Sequence, residues 1–141
     1  MSTPEPRTTP LPVGVLVASI GAVMLIVSLF LDWYHGVTGF TVYEFLDLLL
    51  VLLALATIAS LVGGLGIVQA ARAPGVALAV SIFTVFVVAS QLVNDPPAVA
   101  GAVGPGKDIG IWLALGGAVL MVAGALLSYA RISLNVETRR R

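Results

Sequence analysis

The chain has 141 residues, 59% of them hydrophobic and only 10% charged, with a formal net charge of zero and a mean hydropathy of +1.08. A soluble domain is typically about 45–50% apolar and about 25% charged, so a water-soluble fold of this length could not hide so much apolar surface, and the composition points to a membrane protein. The absence of cysteine excludes disulfides, thiol redox chemistry and Cys-ligated metals. No basic face of the kind that binds nucleic acid is present.

Residues 1–12 carry four of the eight prolines and few apolar side chains, which predicts a disordered N-terminal tail. The first apolar run, 13–31, is about the length needed to cross hydrocarbon as a helix. It exceeds the apolar core of a signal peptide and lacks a small-x-small cleavage site, so it reads as a retained span.

Thr41 and Glu44 have capping-box spacing, and Phe40 and Phe45 sit at the positions of a hydrophobic staple. A second helix is therefore expected over 42–72, its first turns outside the hydrocarbon, with Arg72 and Pro74-Gly75 as its stop. The short link at Pro74 folds a third span, 75–93, back beside it. A Gly- and Pro-rich loop follows. The fourth span, 109–130, carries Trp112 near its start, and 132–141 form a basic C-terminal tail.

Six of the seven basic residues, Arg7, Arg72, Arg131, Arg139, Arg140 and Arg141, fall on one side of such a topology, with only Lys107 opposite. Positive residues favour the cytoplasmic side, so both termini are expected there. The fold class expected is an all-α membrane protein, an antiparallel four-helix transmembrane bundle of the cell membrane.

Helices in lipid associate by close backbone approach, which small residues every fourth position allow. Such stripes occur as Gly14-Ala18-Ala22, Ala56-Ser60-Gly64, Gly75-Ala79 and Gly110-Ala114-Ala118. At mid-depth the polar residues are Thr57, Ser60 and Thr84, which are expected to bond their own helix carbonyls or a neighbouring helix. No ionisable residue is placed there, which argues against proton-coupled transport in a single protomer.

Chemistry-bearing residues gather instead between the first two spans. Asp32, His35, Glu44 and Asp47 offer oxygen and imidazole ligands to a divalent cation, and the last two share a helical face. The preferred reading is plainer: charges at a span end keep it from sliding into lipid, while Trp33, Tyr34, Tyr43 and Trp112 anchor at headgroup level. No metal, cofactor or catalytic residue is expected, and no serine has a histidine-type base in reach.

The stretch SLFLDWYHGVTGFTVYEFLDLLL, from Ser28 to Leu50, resembles a recurring pattern in small four-span membrane proteins of actinobacterial type. Their first span ends in LFL-x-WY, a short Gly-rich loop follows, and an aromatic-T-x-x-E segment enters the second span. Phe40 stands where that pattern has Trp. The resemblance implies the fold and carries no assigned activity. The functional expectation is a non-enzymatic structural or partner-binding subunit whose acidic-aromatic rim faces outward. Its partners would be the lipid bilayer and a membrane protein or a second copy. The alternative is a small channel or transporter formed on oligomerisation.

Overall fold

The structure, a computed structural model, describes residues 12–42, 45–62, 74–94 and 106–138. Most of it is helix, in five segments, with one small two-stranded sheet.

Helix α1 spans Val13–Ser28 and starts where Pro12, held extended at φ −64°, places its carbonyl to accept from Val15 N at 2.9 Å. A proline costs nothing at a helix start, where its missing N–H has no partner anyway. The exit is tightened. Leu29, Phe30 and Leu31 each donate three residues back, at 3.1–3.2 Å, in the 3₁₀ pattern common at helix ends.

The chain then turns through strands β1, Asp32–Tyr34, and β2, Val37–Thr38, paired antiparallel. The two-residue turn is His35-Gly36, and Gly36 takes φ +74°, a left-handed value that glycine adopts without steric cost.

Helix α2 is a single turn, Gly39–Val42, and helix α3 runs over Leu46–Val62. The continuous helix expected from Val42 is thus interrupted, with Phe45 in a bend. Thr41 lies inside α2 rather than at a helix start, and its hydroxyl pairs with that of Thr38 at 2.8 Å. Thr38 precedes α2 and takes the position where a hydroxyl is useful to free amides. Glu44, the other half of the expected capping box, lies outside the described residues.

Helix α4 spans Pro74–Val93, and helix α5, Ile109–Thr138, continues eight residues beyond the expected span. Gly75–Val93 and Ile109–Ala130, of 19 and 22 residues, are long and apolar enough to cross a membrane; α1 and α3 are shorter apolar helices.

The tightest seam joins α1 to α5, α4 packs on α5, and α3 packs on both α4 and α1. Along the first seam the helices run antiparallel. A Cβ built on Gly21 would lie 2.5 Å from Gly117 O, and one on Gly117 would lie 2.6 Å from Gly21 O. Only glycine permits this approach.

Two of the expected small-residue stripes are on buried faces: Gly14-Ala18-Ala22 in α1 and Gly110-Ala114-Ala118 in α5. The other two are not. In α3 the buried line is Leu50-Ala54-Thr57-Leu61, with Ala56 and Ser60 only half-buried, and in α4 both Gly75 and Ala79 are exposed. Where a helix is apolar all round, sequence spacing alone does not tell which stripe meets protein.

Two apolar clusters fill the interior. The larger joins Leu25 and Leu29 to Trp33, Tyr34, Leu50, Val88 and Ile111. The smaller joins Val15 and Ala18 to Leu61, Ala77 and Ala125. Outward, α1 presents Val13, Leu16, Ile20, Val23 and Val27, all about half exposed.

The hairpin rim as candidate functional site

Trp33 and Tyr34 are adjacent in β1, and both are fully buried. Successive side chains of a regular strand point to opposite faces, so this needs a break in the register. It falls here: Asp32 pairs with Thr38 and Tyr34 with Val37, with the irregularity between them. A bulge re-aims one side chain in this way.

The indole is held on both sides by glycines. A Cβ on Gly110 would lie 2.7 Å from both Asp32 O and Trp33 Cδ1, and one on Gly39 would lie 3.1 Å from Trp33 Nε1. Trp33 Nε1 donates to Ser28 O at 2.8 Å, meeting a carbonyl at the end of α1, and Ser28 Oγ donates back to Leu25 O at 2.6 Å. The rings thus pin the rim to the bundle. Headgroup anchoring needs a ring open to lipid, and neither ring is open, which corrects the expected role of this pair. Trp112 is 56% exposed, and Tyr43 lies outside the described residues.

The same hairpin closes the end of α4. The last four carbonyls of a helix have no partner within it. Here Tyr34 Oη donates to Gln91 O at 2.8 Å, Lys107 Nζ donates to Leu92 O, and Asn94 N donates to Ser90 O at 2.9 Å. Lys107 also bridges β1 antiparallel at Tyr34, and Asp108 N donates to Trp33 O at 3.0 Å. One strand therefore ties together the ends of α1, α4 and α5. The Gln91 carbonyl and Gly39 are structural partners that sequence reasoning did not single out, and Lys107 entered it only as a charge, because nothing local marks which side chain meets another helix's end.

Three of the four candidate cation ligands, Asp32, His35 and Asp47, are among the described residues, and they do not form a cluster. Asp32 and His35 are exposed, and His35 Nδ1 lies beside Gly106, 3.9 Å from a Cβ built there. Asp47 is only 7% exposed, in the first turn of α3, where its carboxylate accepts from Leu48 N at 2.9 Å. Asp108 does the same for Ile109 N at 3.2 Å. A negative charge at a helix N-terminus is favoured by the helix dipole, so both acids have a structural use. Glu44 lies outside the described residues, and among the described residues no three His, Asp or Glu side chains come together.

Inside the bundle, the buried hydroxyls of Thr57, Ser81 and Thr84 donate to Leu53 O, Ala77 O and Val80 O at 2.7–3.0 Å, each within its own helix. No buried side-chain nitrogen or oxygen among the described residues lacks a hydrogen-bond partner. The arrangement can hold a rim rigidly over a bundle. Compared with protein-family models, curated proteins and solved structures, the chain has no match in any of the three.

Proposed function

We propose that this chain is a non-enzymatic, multi-pass protein of the cell membrane, an antiparallel four-helix bundle with both termini cytoplasmic. It acts as a structural or partner-binding subunit that presents its rim outward. The observation carrying this reading is the division of side chains. Large apolar groups such as Leu16, Ile20, Phe83, Phe86 and Val119 are at least half exposed, while the interior hydroxyls are bonded to their own helices. In water that outer surface would be an aggregation liability; in lipid it is the expected surface.

The antiparallel course is supported by the two clusters. One collects the end of α1, the start of α3, the end of α4 and the start of α5, and the other collects the opposite ends. The described interior hydroxyls are each bonded within their own helix, which supports the subunit reading; a channel would need a pathway formed between copies. Membership in the actinobacterial four-span family is part of the same proposal, and its motif falls on the hairpin rim.

Two measurements test it. Single cysteines at Ser2, Ala73 and Thr138 should resist an impermeant thiol reagent in intact cells, while one at Gly104 should label. Labelling at Ala73 with protection at Gly104 reverses the topology. Native mass spectrometry in mild detergent, paired with liposome flux, addresses the role, and an oligomer that conducts ions would favour the channel.

A further inference from the structure

Three phenylalanines at the rim are exposed although Trp33 and Tyr34 of the hairpin are buried: Phe30 at 65%, Phe40 at 41% and Phe45 at 75%. Phe30 and Phe40 lie against each other, ring centroids 4.9 Å apart, and Phe40 N donates to Leu29 O at 3.3 Å. The patch therefore belongs to the corner where α1 ends and α2 begins. We infer that this corner is covered by lipid acyl chains at the outer hydrocarbon boundary, with Asp32 at that boundary and His35 on its water side. The inference rests on the membrane reading above and narrows its partner surface.

Two observations set the occupant. The first is continuity. The exposed side chains of α1 recur at Val13, Leu16, Ile20, Val23 and Val27, and Phe30 is the next member of that series. It prolongs the same face past the helix end without a polar break.

The second is height. Helix α1 has 16 residues, which at about 1.5 Å each give about 24 Å, short of a hydrocarbon core of about 30 Å. Its neighbour α5 is apolar over 22 residues, Ile109–Ala130. In the α1–α5 seam Gly14 meets Gly124 and Ser128, and Gly21 meets Gly117 and Met121. The same register carries α5 past Ser28 by about three residues, or roughly 4.5 Å, before its apolar stretch ends at Ile109. Strand β1 fills that height, since Asp32 O lies 2.7 Å from a Cβ built on Gly110. Lipid that covers the exposed Ile109 and Trp112 on α5 must, at the same level, meet the corner beside β1. What it meets there is Phe30 and Phe40. Phe45 stands just before α3, with its carbonyl accepting from Leu49 N at 3.1 Å, and leads into the exposed Leu48 and Leu52. His35 lies beside Gly106, which precedes Ile109 by three residues, and so marks the water side.

The chain has no cysteine, so site-directed spin labelling needs no background removal. Phe30→Cys, Phe40→Cys and Phe45→Cys would be labelled with a nitroxide in phosphatidylcholine vesicles, with Val23→Cys and His35→Cys as references. All five side chains are exposed, so labelling leaves the buried core in place, and at positions 30 and 40 it breaks the contact between the two rings. Power saturation compares collision with oxygen, which partitions into lipid, and with a water-soluble nickel chelate. The expected result is an oxygen-to-nickel ratio at positions 30, 40 and 45 shifted to the side of Val23→Cys, with His35→Cys nickel-accessible. Nickel access at 40 and 45 while Val23→Cys stays lipid-like overturns the inference and leaves the membrane reading standing. Loss of access to both reagents at 40 and 45 also overturns it, because a second protein then covers the patch. Nickel access at Val23→Cys sinks the membrane reading itself.

Discussion

Gly116 and Gly117 are neighbours on α5 with opposite surroundings, and alanine at each should change stability with opposite sign. A Cβ on Gly117 would lie 2.6 Å from Gly21 O and 2.8 Å from Leu25 N. An ordinary contact needs about 3.5 Å, so α1 and α5 must part locally by roughly 0.9 Å. Overpacking of this kind costs about 1–3 kcal/mol. The upper end applies here, because both opposing atoms are backbone and no rotamer change can relieve them. Replacing a helical glycine by alanine returns about 0.5–1 kcal/mol, leaving Gly117→Ala a net loss of about 2 kcal/mol. At Gly116, among the described residues, the added Cβ meets only the flexible tip of Met24, Cε at 3.9 Å. Gly116→Ala should therefore keep the whole helix gain of about 0.5–1 kcal/mol. Unfolding by dodecyl sulfate titration from mild detergent micelles, followed by circular dichroism, reads both. Indistinguishable curves for the two variants would refute a seam at this distance.

The rim gives three more predictions. Tyr34→Phe should cost about 0.5–1.5 kcal/mol and speed hydrogen exchange in the last turn of α4, near Gln91, while α1 stays protected. Trp33→Ala should cost about 3–5 kcal/mol as a buried large-to-small change; an unchanged melting temperature in detergent would instead mark the ring as a lipid anchor. Calcium or zinc should leave the melting temperature unchanged, since Asp32 and His35 are exposed and the Asp47 carboxylate is already held by Leu48 N. By binding linkage, a metal-specific rise that disappears in both Glu44→Gln and Asp47→Asn would show that the carboxylates do gather around an ion.

The sequence by itself determined that the chain is mostly helical and that two of its helices, Gly75–Val93 and Ile109–Ala130, are apolar at membrane length, because run length and the Gly and Pro breaks at Pro74 are local properties. It also placed Gly14-Ala18-Ala22 and Gly110-Ala114-Ala118 on packed faces. It could not choose between stripes in α3, where Ala56-Ser60 yielded to Leu50-Ala54-Thr57-Leu61, because these helices are nearly as apolar on one face as on the other. Nor could it place the aromatics of the rim. Trp and Tyr at the end of an apolar run carry the same local signature whether they meet headgroups or protein. A one-residue irregularity between Asp32 and Tyr34 turns both rings inward, and the carbonyls that receive them, Ser28 O and Gln91 O, belong to the ends of two different helices. Such partners exist only once those helices are packed, so tertiary structure alone decided that Trp33 and Tyr34 are core while Phe30, Phe40 and Phe45 are surface.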